Sequence, residues 1–232
     1  MKQLPLGVQL RTHARFATYV PGANAGAFAH TRSVAEGADA PATWLWGAAG
    51  TGKTHLLQAA CAAGAAAGRR SGYLPLADDA LAPEMLDGWD ALDLVCVDDV
   101  HRLAGNVAWE RALFGVYNAM HDHGGNLVVA GDRSPGELVF ALPDLESRLR
   151  SGPVFQLAAL DDAGRLDALQ AHARARGLEL PDATARYLLR RTRRDMHTLA
   201  ATLDALDRAS LAAQRRLTIP FVREALGGTD PG

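Results

Sequence analysis

The sequence predicts an α/β fold: a five-stranded parallel sheet with helices on both faces, followed by a smaller, wholly helical domain. Three observations carry that prediction. Short apolar runs alternate with longer helical patterns through the first two thirds of the chain. A glycine-rich turn lies between the first of these runs and the helix that follows it. After Leu160 the strand signal stops and only helical periodicity remains.

The five runs are Thr43–Trp46, Tyr73–Leu76, Leu94–Val97, Leu127–Ala130 and Val154–Leu157. Their nearly unbroken apolar character is that of strands buried on both faces, as parallel strands are. Residues 53–67 read as a helix whose alanine-rich part, from 59 onward, packs closely on the sheet. Residues 106–123 read as another, with Trp109, Leu113, Val116, Tyr117 and Met120 on one stripe. Trp44 and Trp46, in the strand before the glycine-rich turn, read as packing residues. The C-terminal part reads as helices over about 161–176, 182–193 and 196–213, with a short one near 220–226. Asp161-Asp162, Pro181-Asp182 and Pro220 suit helix starts, and Gly177 suits a helix end. The expected domains are therefore 13–160 and 161–232, preceded by a flexible segment, 1–12.

Composition narrows the class. With 232 residues, 48% hydrophobic and 22% charged, the chain is neither disordered, collagen-like nor a coiled coil. A net charge of −2 excludes a basic footprint over the whole molecule. That small value conceals segregation: residues 165–216 sum to +5 and residues 1–164 to −6. No apolar run approaches the roughly 20 residues that span a bilayer. The start, Met1-Lys2-Gln3-Leu4-Pro5, lacks the apolar stretch of a signal peptide. Cys61 and Cys96 form no disulfide framework, which fits a reducing, cytoplasmic setting.

The chemistry concentrates in two segments. Gly47-Ala48-Ala49-Gly50-Thr51-Gly52-Lys53-Thr54 satisfies G-x-x-x-x-G-K-[ST] between a strand and a helix, the context the phosphate-binding loop requires. Gly47, Gly50, Thr51 and Gly52 let backbone N–H groups wrap phosphates, Lys53 supplies an ammonium, and the Thr54 hydroxyl can ligate Mg²⁺. Lys53 is one of two lysines in a chain with 22 arginines, so a compact cation is kept where β- and γ-phosphates would lie. Leu94-Val95-Cys96-Val97-Asp98-Asp99 is an apolar strand ending in two carboxylates. Asp98 is placed to hold Mg²⁺ through water and Asp99 to orient or polarise the attacking water. ATP or ADP with Mg²⁺ is the expected ligand.

Further segments bring in a family. Phe16-Ala17-Thr18-Tyr19-Val20-Pro21-Gly22-Ala23-Asn24 resembles the adenine-side box of DnaA-type AAA+ ATPases, and Gly52-Lys53-Thr54-His55-Leu56-Leu57 their P-loop exit. Leu142-Pro143-Asp144-Leu145-Glu146-Ser147-Arg148-Leu149 is similar to their arginine-finger segment, and Arg194-Asp195-Met196 to the start of their sensor-2 helix. Within the family, Tyr117-Asn118, Gly131-Asp132-Arg133, Leu142-Pro143-Asp144-Leu145 and the tail segments Asp207-Arg208-Ala209-Ser210 and Leu217-Thr218-Ile219-Pro220-Phe221-Val222 resemble the Hda-like subfamily of regulatory inactivators. The resemblance implies an AAA+ P-loop domain with a helical lid, and adenine nucleotide held by Tyr19, Val20, His55 and Arg194 as well as the P-loop. It implies a sensor-1 position at Asp132 and a finger at Arg148, supplied in trans to the nucleotide of a neighbouring DnaA protomer. It also implies docking on the DNA-loaded sliding clamp through Gln3, Leu4 and Leu6, although Gln3-Leu4-Pro5-Leu6 is shorter than the family's usual Q-L-x-L-P-L. On this reading the protein activates hydrolysis by DnaA, carries at most a weak ATPase of its own, reaches DNA only through partners, and leaves self-association open.

Two other classes compete. A free-standing P-loop kinase or ATPase would place an acceptor site and lid in the sheet loops, whereas about 70 residues here follow the last strand as helices. An initiator or helicase loader acting directly on DNA would carry a DNA-reading module after the lid, which the 232-residue chain is expected to lack. The cluster Arg190, Arg191, Arg193 and Arg194 spreads around a helix with no aromatic interleaving apart from Tyr187, so it gives little support to single-strand stacking. His121-Asp122-His123 reads as a solvated helix end.

Overall fold

In the computed structural model, residues 14–40, 42–191 and 196–227 are described. They divide into two compact units, one built on Ala23–Ala159 and the other on the chain from Leu160 together with Ala17–Gly22.

The first unit is a sheet of five parallel strands in the order β2-β3-β4-β1-β5. The strands are β1 (Thr43–Trp46), β2 (Ser71–Pro75), β3 (Leu94–Asp98), β4 (Asn126–Gly131) and β5 (Val154–Gln156). The second begins two residues before its apolar run, because Ser71 and Gly72 pair with Leu94 and Val95. Period two sorts the apolar residues of β1, β3 and β4 between the faces. Trp44, Val95, Val97, Leu127 and Val129 enter one core with Leu113, Val116 and Met120 of α3 (Val107–Asp122). The intervening Leu45, Leu94, Cys96, Val128 and Ala130 are equally buried and point to the opposite face. Fully burying a leucine or valine is worth about 1.5–3 kcal/mol. Both faces thus contribute to stability, which is why these strands carry no polar alternation.

Small residues set how closely the helices approach. On α2 (Lys53–Ala66), a Cβ added to Gly64 would lie 2.6 Å from Ser71 Oγ and 3.2 Å from Leu94 Cδ2. The alanine-rich stretch therefore packs against the sheet at a separation larger side chains would prevent. Helix α1 (Ala25–Ala35) has no counterpart in the periodicity, since its alanines and glycine leave little amphipathic signal. Its start is fixed by Asn24, which donates from Nδ2 to Ala158 O at 2.9 Å and accepts Ala158 N at 2.8 Å. At the opposite edge of the strands, Arg69 donates to Val34 O, Asp93 O and Asn126 Oδ1, each at 2.6 Å, joining three segments through one guanidinium. Helix α4 (Pro143–Arg150) closes the unit, with Leu145 and Leu149 in the core shared with α3.

The second unit consists of α5 (Asp162–Arg174), α6 (Asp182–Arg191), α7 (Met196–Ala213) and α8 (Ile219–Ala225). Leu169, Leu188, Leu199, Leu203, Leu206 and Phe221 form its core. Asp161 Oδ1 caps α5 by accepting Gly164 N at 2.7 Å, and Thr218 caps α8 ahead of Pro220. Part of the unit's positive charge serves this packing. Arg176 donates to Asp204 and to His172 O, each at 2.8 Å, and the Arg215 guanidinium lies 4.8 Å from the Phe221 ring centroid. Arg191 donates to the Tyr187 hydroxyl at 2.8 Å.

Candidate nucleotide site

The strand order dictates where the chemistry meets. With β4 inserted between β3 and β1, the C-terminal ends of these three strands bring together the loop after Trp46, the carboxylates after Val97 and the turn after Gly131. That edge is where open parallel sheets bind ligands.

The loop has the backbone its glycines predict. Gly47, Gly50 and Gly52 adopt φ of 150°, 79° and 93°. Gly47 is also sterically required, because a Cβ there would lie 2.5 Å from Leu157 O. Thr51 Oγ1 donates to Ala48 O at 2.9 Å and closes the turn. Lys53 Nζ lies over the loop, donating to Gly47 O at 2.6 Å and to Ala48 O at 2.9 Å. Burial lowers the pKa of this ammonium, while the charges of Asp98, Asp99 and Asp132 oppose that shift. All three acids therefore act on one cation. His55 bonds Arg15 O at 2.9 Å and ties α2 to the segment before α1.

Asp98 is 3% exposed and deeply set at the end of β3. Burial pushes its carboxyl above the usual carboxylate range, opposed by hydrogen bonds from Thr54 and Tyr73. Tyr73 donates its hydroxyl to Oδ2 at 2.9 Å, and the N–H of Asp99 donates to Oδ1 at 3.1 Å. Asp99 itself takes φ of 55°, a left-handed turn that ends the strand. Asp132, the residue after β4, is exposed and engaged on both oxygens by Arg133, at 2.8 and 2.7 Å. His101 Nδ1 lies 3.6 Å from its Oδ1, and the Arg133 pair holds this carboxyl below its usual range.

These donors suit a Mg²⁺ site of the P-loop kind. A hydroxyl (Thr54) lies near enough to a buried carboxylate (Asp98) to oppose the upward shift of its pKa, and both are hard oxygen donors. Among the described residues no group of three or more His, Cys, Asp or Glu could hold a metal alone. The ion would thus depend on phosphate and water for its remaining ligands.

The other expected residues are placed as follows. Arg148 is exposed on α4 and has no ion-pair partner among the described residues, whereas Arg150 on the same helix pairs with Glu146 at 2.6 Å. Tyr19 and Val20 are half-buried and belong to the unit of α5–α8. Gln3, Leu4, Leu6 and Arg194 lie outside the described residues. Tyr73, Gln58 and His101 escaped the sequence reading as site residues, and Arg133 entered it only within Gly131-Asp132-Arg133, with no role assigned. His101 could have been noticed two residues beyond the Asp98-Asp99 pair, and Arg133 beside Asp132. Tyr73 and Gln58 carry no local signal.

Comparison with known proteins bears on this arrangement. A family model described as the bacterial DnaA ATPase domain matches residues 10–74 and 77–156. The chain belongs to the bacterial DnaA ATPase-domain family. A second model, the lid domain of Hda, matches residues 162–226. The protein is thus a DnaA-related AAA+ protein with an Hda-type lid. Among solved structures it is similar to domain III of the replication initiation protein DnaA from Thermotoga maritima. The TM-score is 0.76 at 22% identity, over 94% of this chain and 98% of that one. AMPPCP-bound DnaA from Aquifex aeolicus matches with TM-score 0.69 and 24% identity, over 88% of this chain and 67% of that one. A RuvB mutant from Thermotoga maritima matches at 0.63 and 16%, over 92% and 73% of the two chains. These likenesses show the α/β AAA+ fold. No helix among the described residues is long and apolar enough to cross a membrane.

Proposed function

We propose that this DnaA-related protein is a cytoplasmic regulator that binds ATP or ADP with Mg²⁺ on its own P-loop and stimulates ATP hydrolysis by DnaA at the DNA-loaded sliding clamp. The observation that carries this reading is the contrast on α4: Arg150 is held by Glu146, while Arg148 stands exposed and unpaired among the described residues. A guanidinium presented in this way on an AAA+ domain suits action in trans on a neighbour's nucleotide. There it stabilises charge developing on the transferred phosphoryl group. The Hda-type lid and the DnaA-type ATPase domain support DnaA as that neighbour.

Each residue then has a task. Lys53 and the N–H groups of the 47–54 loop hold the phosphates, His55 and Tyr19 with Val20 serve the nucleoside side, and Arg194 serves as the sensor-2 arginine for the same nucleotide. Thr54 and Asp98 hold Mg²⁺, which neutralises phosphate charge when bound. Asp99 orients water for a weak intrinsic hydrolysis, and Asp132 is the sensor at the end of β4. Gln3, Leu4 and Leu6 dock on the clamp, so the protein meets DNA through its partners. AMPPCP in the Aquifex aeolicus relative supports adenine nucleotide as the ligand.

The decisive experiment measures DnaA ATP hydrolysis with this protein, clamp-loaded DNA, both, and neither. Acceleration only with both is expected, and it should disappear when Gln3 and Leu4 are replaced by Ala. An unchanged rate of DnaA hydrolysis in all mixtures would refute the regulatory reading.

A further inference from the structure

We propose that Tyr73 positions the metal-side carboxylate of the nucleotide site, its hydroxyl holding Asp98 in the orientation that Thr54 and a bound Mg²⁺ share. This rests on the reading of Thr54 and Asp98 as the Mg²⁺ side.

The placement follows from sheet register. Tyr73 pairs with Cys96 across the β2–β3 ladder, so period two sets its side chain on the same face as Cys96 and Asp98. That face is covered by α2, whose Gln58 is itself buried and hydrogen-bonds the Tyr73 hydroxyl. The hydroxyl donates to Asp98 Oδ2 at 2.9 Å, where the carboxylate oxygen accepts. Polar groups thus run from Gln58 through Tyr73 to Asp98 within the buried interior between α2 and the sheet. Phe would fill the same volume, so packing alone does not require a hydroxyl here. Losing it would leave Asp98 Oδ2 without that 2.9 Å donor, so that the carboxylate's orientation would rest on the Asp99 N–H at Oδ1 and on Thr54.

The test uses the full chain and a fluorescent, non-hydrolysable ATP analogue, titrated in excess MgCl₂ and in EDTA. The quantity read is the ratio of the two affinities. For Tyr73→Phe, affinity in EDTA should match wild type while the Mg²⁺-dependent gain falls by roughly three- to ten-fold, the share of a charge-assisted hydrogen bond realised in metal binding. In an Asp98→Asn background the same substitution should change nothing further, because its effect passes through that carboxylate. A full Mg²⁺-dependent gain in Tyr73→Phe overturns the proposal. So does an equal loss in MgCl₂ and EDTA, or an independent loss in the double variant. If Tyr73→Phe does not fold, Gln58→Leu carries the same test with the same sign. A wild type that binds the analogue with no Mg²⁺ dependence refutes the metal site itself, and one that binds none refutes the nucleotide reading.

Discussion

The carboxylate of Glu110, on α3, accepts the backbone N–H of Leu142, the N-cap residue of α4, at 2.7 Å. Its other oxygen accepts Gly105 N at 2.6 Å and Ala141 N at 3.0 Å. The residue is fully buried, so three backbone donors from two separate segments satisfy one interior charge. This junction fixes the entry to the helix that presents Arg148. Glu110→Gln keeps the shape but turns an amide N–H toward a backbone N–H. It should destabilise the fold by about 1–3 kcal/mol, the cost of a buried group left unsatisfied. Glu146→Gln, which breaks only a surface pair, should cost less than about 1 kcal/mol. Urea denaturation of both variants checks the ordering.

The P-loop glycines should differ in their tolerance of a side chain. Gly47→Ala combines φ of 150° with a Cβ 2.5 Å from the Leu157 carbonyl, so the loop or β5 must move. Gly50→Ala meets nothing within 4 Å and carries only the strain of φ 79°, about 1–2 kcal/mol. Nucleotide titration should show affinity lost in the first variant and reduced far less in the second. Equal losses would contradict the steric argument.

Asp93 gives a pH dependence with a definite sign. Hydrogen bonds from the Arg70 side chain and backbone N–H hold its carboxyl down to about 2, from an ordinary 3.8. A carboxylate lowered in the folded state stabilises the fold above the unfolded value and loses that contribution as pH falls through the folded value. Asp93→Asn should therefore lower the melting temperature at pH 7, and the gap to wild type should close as pH falls from 3.8 toward about 2. The effect is small because the Arg70 side chain is 61% exposed and screened by solvent. A gap that persists at the acid end would assign the loss to packing instead.

Arg148→Ala should bind nucleotide like wild type yet lose stimulation of DnaA hydrolysis by about 10³-fold or more, the usual worth of a finger. Arg150→Ala removes only the pair with Glu146 and should retain stimulation. Single-turnover hydrolysis by DnaA on clamp-loaded DNA separates the two variants, and equal behaviour would remove Arg148 from the site.

What could be read from sequence follows from the range of each signal. The loop 47–54 is legible because phosphate binding needs consecutive residues, and its φ values at Gly47, Gly50 and Gly52 are a local demand. The pair Asp98-Asp99 is legible because an apolar strand runs straight into it. Helix α7 shows itself in Leu199, Leu203 and Leu206, spaced to share one buried face. Helix α1 was not legible, since Ala and Gly leave no contrast between its faces. The second strand's start was obscured by Ser71 and Gly72. Gly72 is small because Leu92 and Trp89 would meet its Cβ at 2.6 and 2.8 Å, a requirement invisible along the chain.

By itself, then, the sequence determined the strands, the phosphate loop, the acidic strand end and the helical lid, all consequences of neighbours within a few residues. Only the tertiary structure decided that Tyr73 would reach Asp98 across 25 residues and that Glu110 would hold Leu142 across 32. The reason is the strand order. Parallel strands are joined by crossovers through helices, so adjacency in the sheet is set by which faces pack together. That packing places β2 beside β3 and β4 between β3 and β1, and with them the partners of the site.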